Sequence, residues 1–189
     1  FGENTTVGLR LSATGASTDT DNAWAASPQD VQQFKKSNNS VALNWRQAFS
    51  ADWTSHLDVS HAELRYEDFN NGQRLPFYGL FAGRQDAVRW ANTWQAARDS
   101  TVLWGIDSAV DRFDVDQGAA YAMRRASQGY FAGLTQRWAP WTLQLNARHD
   151  EVNIDHSAPY EASSTRRVSA DTGLLGLGYA LNTNWSLNG

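Results

Sequence analysis

The stretch that decides the fold reads Trp141-Thr142-Leu143-Gln144-Leu145-Asn146-Ala147-Arg148. Its odd positions are apolar and its even positions are polar, which is the period of two of a strand whose faces meet different environments. The same alternation recurs in other segments, at 7–13, 41–49, 102–110, 130–138 and 175–181. Segments that all follow one rule predict an all-β protein.

The connections between these segments alternate between short and long. The short ones consist of turn residues at hairpin lengths: Ser50-Ala51-Asp52, Arg98-Asp99-Ser100, Ala139-Pro140 and Asn182-Thr183-Asn184. The long ones are polar and run over about 18–39, 70–86, 116–128 and 155–169. The pattern predicts an antiparallel up-and-down meander of about nine strands, the first and last of them incomplete hairpin halves. Short turns at one end and long loops at the other are typical of a transmembrane β-barrel.

Aromatic residues collect beside the short turns. A ring that is apolar at one end and tolerates water at the other is favoured at the level of the lipid headgroups. We therefore predict a membrane girdle formed by Phe49, Trp53, Trp138, Trp141, Tyr179 and Trp185. The alternative is that these rings fill the core of a soluble barrel, but such a core would not concentrate them at one end of the hairpins.

Composition limits the class of protein. The chain has 189 residues, a formal net charge of −4 and no cysteine, so it carries no basic footprint for nucleic acid and no disulfide or thiolate metal site. No apolar stretch approaches the ~20 residues of a membrane helix, so any spanning must be done by strands. The chain opens on Phe1 without an initiator Met and closes barely into a strand, from which we expect a piece of a larger barrel.

Several segments resemble a known family. They are Val88-Arg89-Trp90-Ala91-Asn92-Thr93-Trp94 with Val102-Leu103-Trp104-Gly105-Ile106-Asp107, Tyr130-Phe131-Ala132-Gly133-Leu134-Thr135-Gln136 with the stretch 141–150, and Thr172-Gly173-Leu174-Leu175-Gly176-Leu177-Gly178-Tyr179. They are similar to segments in the middle of the barrel of TonB-dependent outer-membrane transporters, and within that family of cobalamin (vitamin B12) receptors. The likeness covers roughly residues 85–189. Over residues 1–84 it rests on the alternation of short and long connections between the predicted strands.

The resemblance implies that residues 1–189 are a slice of a barrel of about 22 strands in the outer membrane of a Gram-negative bacterium. The plug domain, the TonB box, the first strands and the final strands would lie outside this slice. The expected partners are outer-membrane lipid, a transported small molecule (cobalamin or a siderophore) and TonB acting through the plug. The family takes scarce ligands from outside the cell with energy delivered through TonB.

Two sets of residues are candidates for ligand sites. Asp19 and Asp21 fall where the resemblance implies calcium-binding aspartates, and calcium is the only cofactor to which the sequence points; a solvated loop explains the same residues. The aromatic residues Phe77, Tyr78 and Phe81, flanked by Arg74 and Arg84, are expected to contact a corrin or a siderophore, with loop packing as the alternative.

Charged residues also follow the polar face of the predicted strands. They are Arg10, Arg46, Asp58, Asp107, Asp111, Arg137, Arg148 and Asp150. Because they scatter over separate strands of one face, they indicate the wall of a polar lumen rather than a pair of catalytic carboxylates. The four histidines show no metal-ligand spacing. We expect no enzymatic activity.

Two other classes of protein stay open at this point. One is a complete small outer-membrane barrel of about eight or ten strands that acts as an enzyme or adhesin. The other is a soluble β-barrel whose Leu, Val and Trp residues face a cavity for an apolar ligand. A further hypothesis is that the isolated chain is an open or non-natively closed sheet that pairs through its free edges.

Overall fold

The computed structural model describes residues 4–21, 30–75, 79–116, 121–158, 161–181 and 185–189. All regular structure in these residues is β-strand. The strands are β1 (Thr5–Asp21), β2 (Val31–Ala48), β3 (Trp53–Asn70), β4 (Gln73–Arg74), β5 (Leu80–Ala97), β6 (Ser100–Asp116), β7 (Tyr121–Trp138), β8 (Trp141–Ser157), β9 (Ser164–Ala180) and β10 (Ser186–Asn188). No helix of the described residues is long and apolar enough to cross a membrane.

The strands form one antiparallel sheet in the order β1-β2-β3-β5-β6-β7-β8-β9-β10, and the two-residue β4 pairs with β3 alone. This order confirms the predicted all-β meander of nine strands. Each long strand pairs along nearly its whole length with the next one, as Leu134 does with Leu145 and Leu145 with Leu175. Register is therefore continuous from β1 to β9, and one row of residues crosses the whole sheet.

The predicted long loops are wrong in extent. β1 continues to Asp21 and β2 begins at Val31, so most of the predicted loop 18–39 is strand, and the strands likewise enter the other predicted loops. A bilayer needs only about 9–11 residues of each strand, whereas the long strands have 17 or 18. Beyond the apolar part, polar and charged residues occupy positions on both faces of a strand. The regular alternation that predicts a strand is therefore lost there, while the ladder of hydrogen bonds continues.

Two kinds of turn hold the hairpins. At the short end, the amide of Phe49 donates to the carbonyl of Trp53, and Ser50 Oγ accepts from the amides of Asp52 and Trp53. At the opposite end, Asn71 (φ 49°) and Gly72 (φ 77°) form a two-residue turn between β3 and β4. Both residues have positive φ, as a type I′ hairpin requires, and Asn-Gly is the pair that adopts it most readily.

The sheet has two chemically distinct faces. The apolar face carries the odd-numbered residues of β1, β2, β3, β8 and β9 and the even-numbered residues of β5, β6 and β7; the polar face carries the others. Most exposed large hydrophobic side chains lie on the apolar face, and Leu9, Leu11 and Leu175 are 65%, 71% and 70% exposed. Among the described residues Val115 is the only buried hydrophobic one, so this sheet has no conventional core.

The edges of the sheet are free within the described residues. β1 pairs with β2 alone, and β10 pairs with β9 alone. The described chain is thus an open sheet and does not close into a barrel around a cavity lined by Leu, Val and Trp. No other described residue covers the apolar face.

Candidate ligand-binding wall

Aromatic side chains form a band across the polar face, near the end of the sheet that carries the long connections. Phe34 stacks on Tyr66 at 5.8 Å between ring centroids, and Tyr66 meets Phe81 edge-on at 5.9 Å. On the next strands Phe113 contacts Tyr121 at 6.5 Å, and Tyr121 contacts the imidazole of His156 at 5.0 Å. We call this set, on β2, β3 and β5 to β8, the aromatic band. It offers ring faces and edges to a flat or cyclic ligand.

One carboxylate lies in the aromatic band. Asp68 pairs in register with Phe34 and accepts a hydrogen bond from the hydroxyl of Tyr66. Its Oδ1 is buried and has no hydrogen-bond partner among the described residues. Burial raises the pKa of the Asp68 carboxyl, and the hydrogen bond from Tyr66 offsets part of that rise. Burial also raises the pKa of Tyr66.

The raised pKa of Asp68 predicts a pH-dependent stability. Because the folded state binds the proton more tightly than the unfolded state, in which the pKa is about 3.9, the contribution of this carboxyl to stability is fully present below that pKa and is lost as pH rises through the folded pKa. Asp68→Asn is expected to be more stable than the wild type at pH 7 by no more than about 1 kcal/mol, since the site is only half-buried, and equal to it at pH 3. Denaturant midpoints between pH 3 and 8 measure this difference. A variant that follows the wild-type curve throughout would contradict the burial of this carboxyl.

Lower on the polar face, charged residues gather around one arginine. Arg148 donates Nη1 and Nη2 to the two oxygens of Asp107 at 2.8 and 2.9 Å, and Nε to the oxygens of Asp150 at 2.9 and 2.8 Å. Its guanidinium carbon lies 6.0 Å from the centre of the Phe131 ring, over which Arg89 also lies at 5.4 Å. The cluster ties β6 to β8 across β7, because a planar guanidinium can bridge two carboxylates at once.

Two glycines make room for this cluster. A Cβ at Gly129 would overlap the guanidinium of Arg148 and lie 2.8 Å from Asp150 Oδ1. A Cβ at Gly105 would overlap the backbone oxygen of Trp90 and lie 2.6 Å from the Phe131 ring. The glycines therefore serve close packing of side chains on the polar face.

Arg148 is expected to matter for stability. Arg148→Met leaves Asp107 and Asp150 without their shared cation, and we expect a loss of about 2 kcal/mol, discounted for partial exposure. Arg148→Lys should recover part of the loss, because it restores the positive charge but not the planar guanidinium that bonds both carboxylates. The measurement is the denaturant midpoint in detergent, with Arg125→Met on the same face of β7 as the control. Equal losses in the two methionine variants would show that the ion pairs of Arg148 contribute no more to stability than an arginine outside the cluster.

The structure separates the residues that the sequence grouped as a ligand site. Phe81 belongs to the aromatic band, but Arg84 lies on the apolar face, where its Nε is 3.3 Å from Glu63. Arg74 lies in β4 and pairs with Asp116 at 3.4 Å. Phe77 and Tyr78 are outside the described residues. The grouping is corrected for Arg84, because three residues along a strand place two side chains on opposite faces.

The predicted calcium site has a different setting from the one expected. Asp19 lies within β1, not in a loop, and its Oδ1 accepts a hydrogen bond from Gln33 Nε2 at 2.9 Å. Asp21 ends β1, and its side chain is outside the described part. Among the described residues no group of three or more His, Asp or Glu could hold a metal ion. Calcium binding by Asp19 and Asp21 stays a prediction.

Aromatic residues of the predicted girdle meet beside the short turns. Phe49 and Trp53 lie 4.7 Å apart, Trp141 and Tyr179 lie 4.6 Å apart, and Trp138 pairs in register with Trp141. Trp185 also lies at this end, and its side chain is 71% exposed. The rings thus form an exposed row at one end of the apolar face, which we call the aromatic row. Their contact with lipid headgroups stays a prediction.

Above this row the apolar face buries two polar side chains. Ser55 is 1% exposed and accepts a hydrogen bond from Trp90 Nε1 at 2.8 Å; Asn92 is fully buried and accepts one from Trp53 Nε1 at 3.2 Å. Indoles that donate inward to the sheet can present their rings outward without an unsatisfied N–H. This arrangement fits an apolar environment on that side.

The aromatic band as a whole could not be predicted from the sequence. Its rings come from separate strands, at polar-face positions beyond the alternating part, so no local stretch shows them together. One signal is present in the sequence. Once the register through the turns is known, Tyr66, Phe81 and Phe113 all fall on the odd-numbered or even-numbered positions that belong to the polar face of their strands.

Comparisons with known proteins agree on the fold. The ferric yersiniabactin uptake receptor FyuA from Yersinia pestis matches with a TM-score of 0.65 and 14% identity, over 98% of this chain and 34% of that chain. The siderophore receptor PiuA from Acinetobacter baumannii matches with a TM-score of 0.64 and 10% identity, over 98% of this chain and 39% of that chain. No protein-family model matches, and no curated protein matches by sequence. The chain therefore has the fold of a part of these receptors and spans well under half of their length.

Proposed function

We propose that the chain is part of the barrel of an outer-membrane active transporter for a scarce ligand in a Gram-negative bacterium. In the full-length protein, energy would come from TonB through a plug domain. The observation that supports this function is the two-faced meander: one face is apolar and uncovered, and the other carries ion pairs and an aromatic band. In addition, 98% of the chain aligns with parts of a ferric yersiniabactin uptake receptor and of a siderophore receptor. An apolar face toward lipid and a polar face toward a lumen are the design of a transmembrane barrel.

For the ligand we propose cobalamin, on the resemblance of residues 85–189 to cobalamin receptors. A ferric siderophore is the second candidate, because FyuA is a ferric yersiniabactin uptake receptor and PiuA is a siderophore receptor. Both classes of ligand are bulky and multiply ringed or chelating, and both fit a wall that offers aromatic faces.

Uptake of labelled ligand by whole cells tests the function. A strain that lacks the full-length gene, and a strain that lacks TonB, should both lose uptake of radiolabelled cyanocobalamin, and the cloned gene should restore it only where TonB is present. Loss of labelled ferric siderophore uptake instead would replace cobalamin by the second candidate. Unchanged uptake of both ligands in the deletion strain would refute the transport function.

The aromatic band is expected to contribute to ligand affinity. Replacing both Tyr66 and Phe81 with alanine removes two adjacent rings, each worth about 1 kcal/mol, so the dissociation constant should rise about 30-fold. Equilibrium binding of the labelled ligand to the full-length receptor measures the change.

The matched control is Phe69→Ala. Phe69 is an aromatic residue of the same strand and the same end of the sheet, but it lies on the apolar face, where Lys35 Nζ is 4.4 Å from its ring centre. We expect Phe69→Ala to leave the dissociation constant unchanged. A loss of affinity that is equal in the control and in the double variant would show that the band acts on folding rather than on the ligand.

A further inference from the structure

A row of three arginines crosses the apolar face. Arg84 on β5 pairs in register with Arg112 on β6, and Arg112 pairs with Arg124 on β7. Directly opposed residues have Cβ atoms about 5 Å apart, so the three side chains stand next to one another. The row is bounded by carboxylates, since Glu63 is opposite Arg84 and Asp155 is opposite Arg124. We call Arg84, Arg112 and Arg124 the arginine row.

The arginine row lies just beyond the apolar part of its face. Along β6 the positions of this face read Val102, Trp104, Ile106, Ser108, Val110 and then Arg112. On β5 the last apolar residue is Val88, and on β7 the last large one is Tyr130. The arginines are thus two to six residues beyond the apolar surface, or roughly 7–20 Å along the strands. They stand on the side away from the aromatic row at the short turns.

Neighbouring like charges in a cross-strand row destabilise a sheet unless an anion compensates them. Each arginine has one carboxylate nearby: Arg84 Nε is 3.3 Å from Glu63, Arg124 Nη1 is 3.4 Å from Asp155, and Arg112 Nη1 is 3.9 Å from Asp86. Asp86 is itself held by His61 at 2.6 Å. Arg112 therefore has the longest ion pair and a cation on either side, which makes it the centre of the row.

Most of the guanidinium N–H donors of the arginine row are not taken up by the neighbouring carboxylates. The three side chains are 53%, 49% and 47% exposed, and each guanidinium has five N–H donors but only one carboxylate at these distances. Exposed ion pairs of such length contribute little to stability, so a stronger acceptor can bind without a large loss. A phosphate matches the planar fork of arginine with two parallel hydrogen bonds.

We propose that the arginine row binds the phosphate groups of an anionic lipid whose acyl chains cover the apolar face. The proposal rests on the proposed function, since it needs a bilayer against that face. A lipid, rather than a free anion, is favoured because on β6 the row follows the apolar surface at the next position of the same face: one molecule can place its chains on Ile106 and Val110 and its headgroup on Arg112.

Native mass spectrometry of the full-length protein in detergent tests the proposal. The probe is diphosphorylated lipid A, compared with the same lipid after removal of its phosphates. The triple variant Arg84→Gln/Arg112→Gln/Arg124→Gln is expected to bind diphosphorylated lipid A about 10- to 100-fold more weakly than the wild type. Affinity of the wild type should fall steeply with salt, as expected for phosphate held by exposed cations.

The control removes the same charge from the other face. Arg10→Gln/Arg46→Gln/Arg137→Gln changes three exposed polar-face arginines and should leave lipid binding unchanged. Equal binding by both triple variants, or equal binding of the dephosphorylated lipid by the wild type, would overturn the proposal. Saturable binding of inorganic phosphate to the row, without any preference for the lipid, would assign it to a free anion and overturn the proposal as well.

The outcomes separate this proposal from the proposed function. If the wild type binds lipid but the arginine-row variant binds it equally well, only the lipid-phosphate site fails. If the wild type binds neither form of the lipid on its apolar face, the membrane function fails too. Uptake of ligand by cells that express the arginine-row variant should stay at the wild-type level.

Discussion

Gly105→Ala is expected to disrupt the folding of the protein. A Cβ at this position overlaps the backbone oxygen of Trp90 on the neighbouring strand and approaches the Phe131 ring to 2.6 Å. Phe131 can turn, but a backbone oxygen moves only if β5 and β6 separate. That separation breaks ladder hydrogen bonds in the middle of the sheet, so we expect a loss of about 3 kcal/mol or a failure to fold.

Gly83→Ala is the matched control for this substitution. Gly83 lies on β5, on the same face of the sheet as Gly105. A Cβ at Gly83 meets only the Leu64 Cβ at 3.9 Å, which is ordinary van der Waals contact. Alanine at that position should be neutral or more stable by up to about 0.5–1 kcal/mol, because glycine loses more backbone entropy on folding. Folded fractions on unheated gels and denaturant midpoints in detergent report both variants. If Gly105→Ala and Gly83→Ala behaved alike, the close approach of β5, β6 and Phe131 would be refuted.

The sequence predicted the centre of each strand well, because there the two faces meet different environments and the period of two is strict. The stretch 141–148 is an example: Leu143 and Leu145 lie on the apolar face and Arg148 on the polar face, as the alternation predicted. The short turns at 50–52, 98–100 and 139–140 were predicted for the same reason, since each follows directly on an alternating strand. The predicted turn Asn182-Thr183-Asn184 lies outside the described residues.

The outer halves of the strands could not be predicted this way. Two connections illustrate this, the one from Ser157 to Ser164 and the one from Asp21 to Val31. The strand ends that flank them are mostly polar, as the connections are, so polarity does not distinguish a strand from a loop. What extends these strands is cross-strand hydrogen bonding, a pairing between distant residues that no local window contains. In the described part of these regions the Asn71-Gly72 pair is a local turn signal, and it lies inside the predicted loop 70–86.

The site was predicted least well because it depends on register. Ligand contact by Phe81 stays a prediction, and the rings beside it could not be predicted: Tyr66, which Phe81 contacts, and Phe34, which stacks on Tyr66, precede Phe81 by 15 and 47 residues in the chain. The arginine row likewise could not be predicted from the sequence, because Arg84, Arg112 and Arg124 become neighbours only through the pairing of two successive hairpins.

The second large effect is expected at two consecutive leucines of β9. Leu175 lies on the apolar face, four residues from Tyr179 of the aromatic row, and Leu174 lies on the polar face. Both are largely exposed, at 70% and 56%, so in water neither should tolerate arginine worse than the other. In a bilayer, arginine on the lipid-facing side near the midplane costs about 2–4 kcal/mol, whereas on the lumen side it costs little.

The most direct test of the central claim, that this apolar face meets lipid, is therefore to measure the free energy of unfolding of Leu174→Arg and Leu175→Arg in phospholipid vesicles. We predict a loss of about 2–4 kcal/mol for Leu175→Arg and less than about 1 kcal/mol for Leu174→Arg. Small and equal losses, or the larger loss at Leu174, would contradict the assignment of the apolar face to the bilayer and with it the barrel of an outer-membrane transporter.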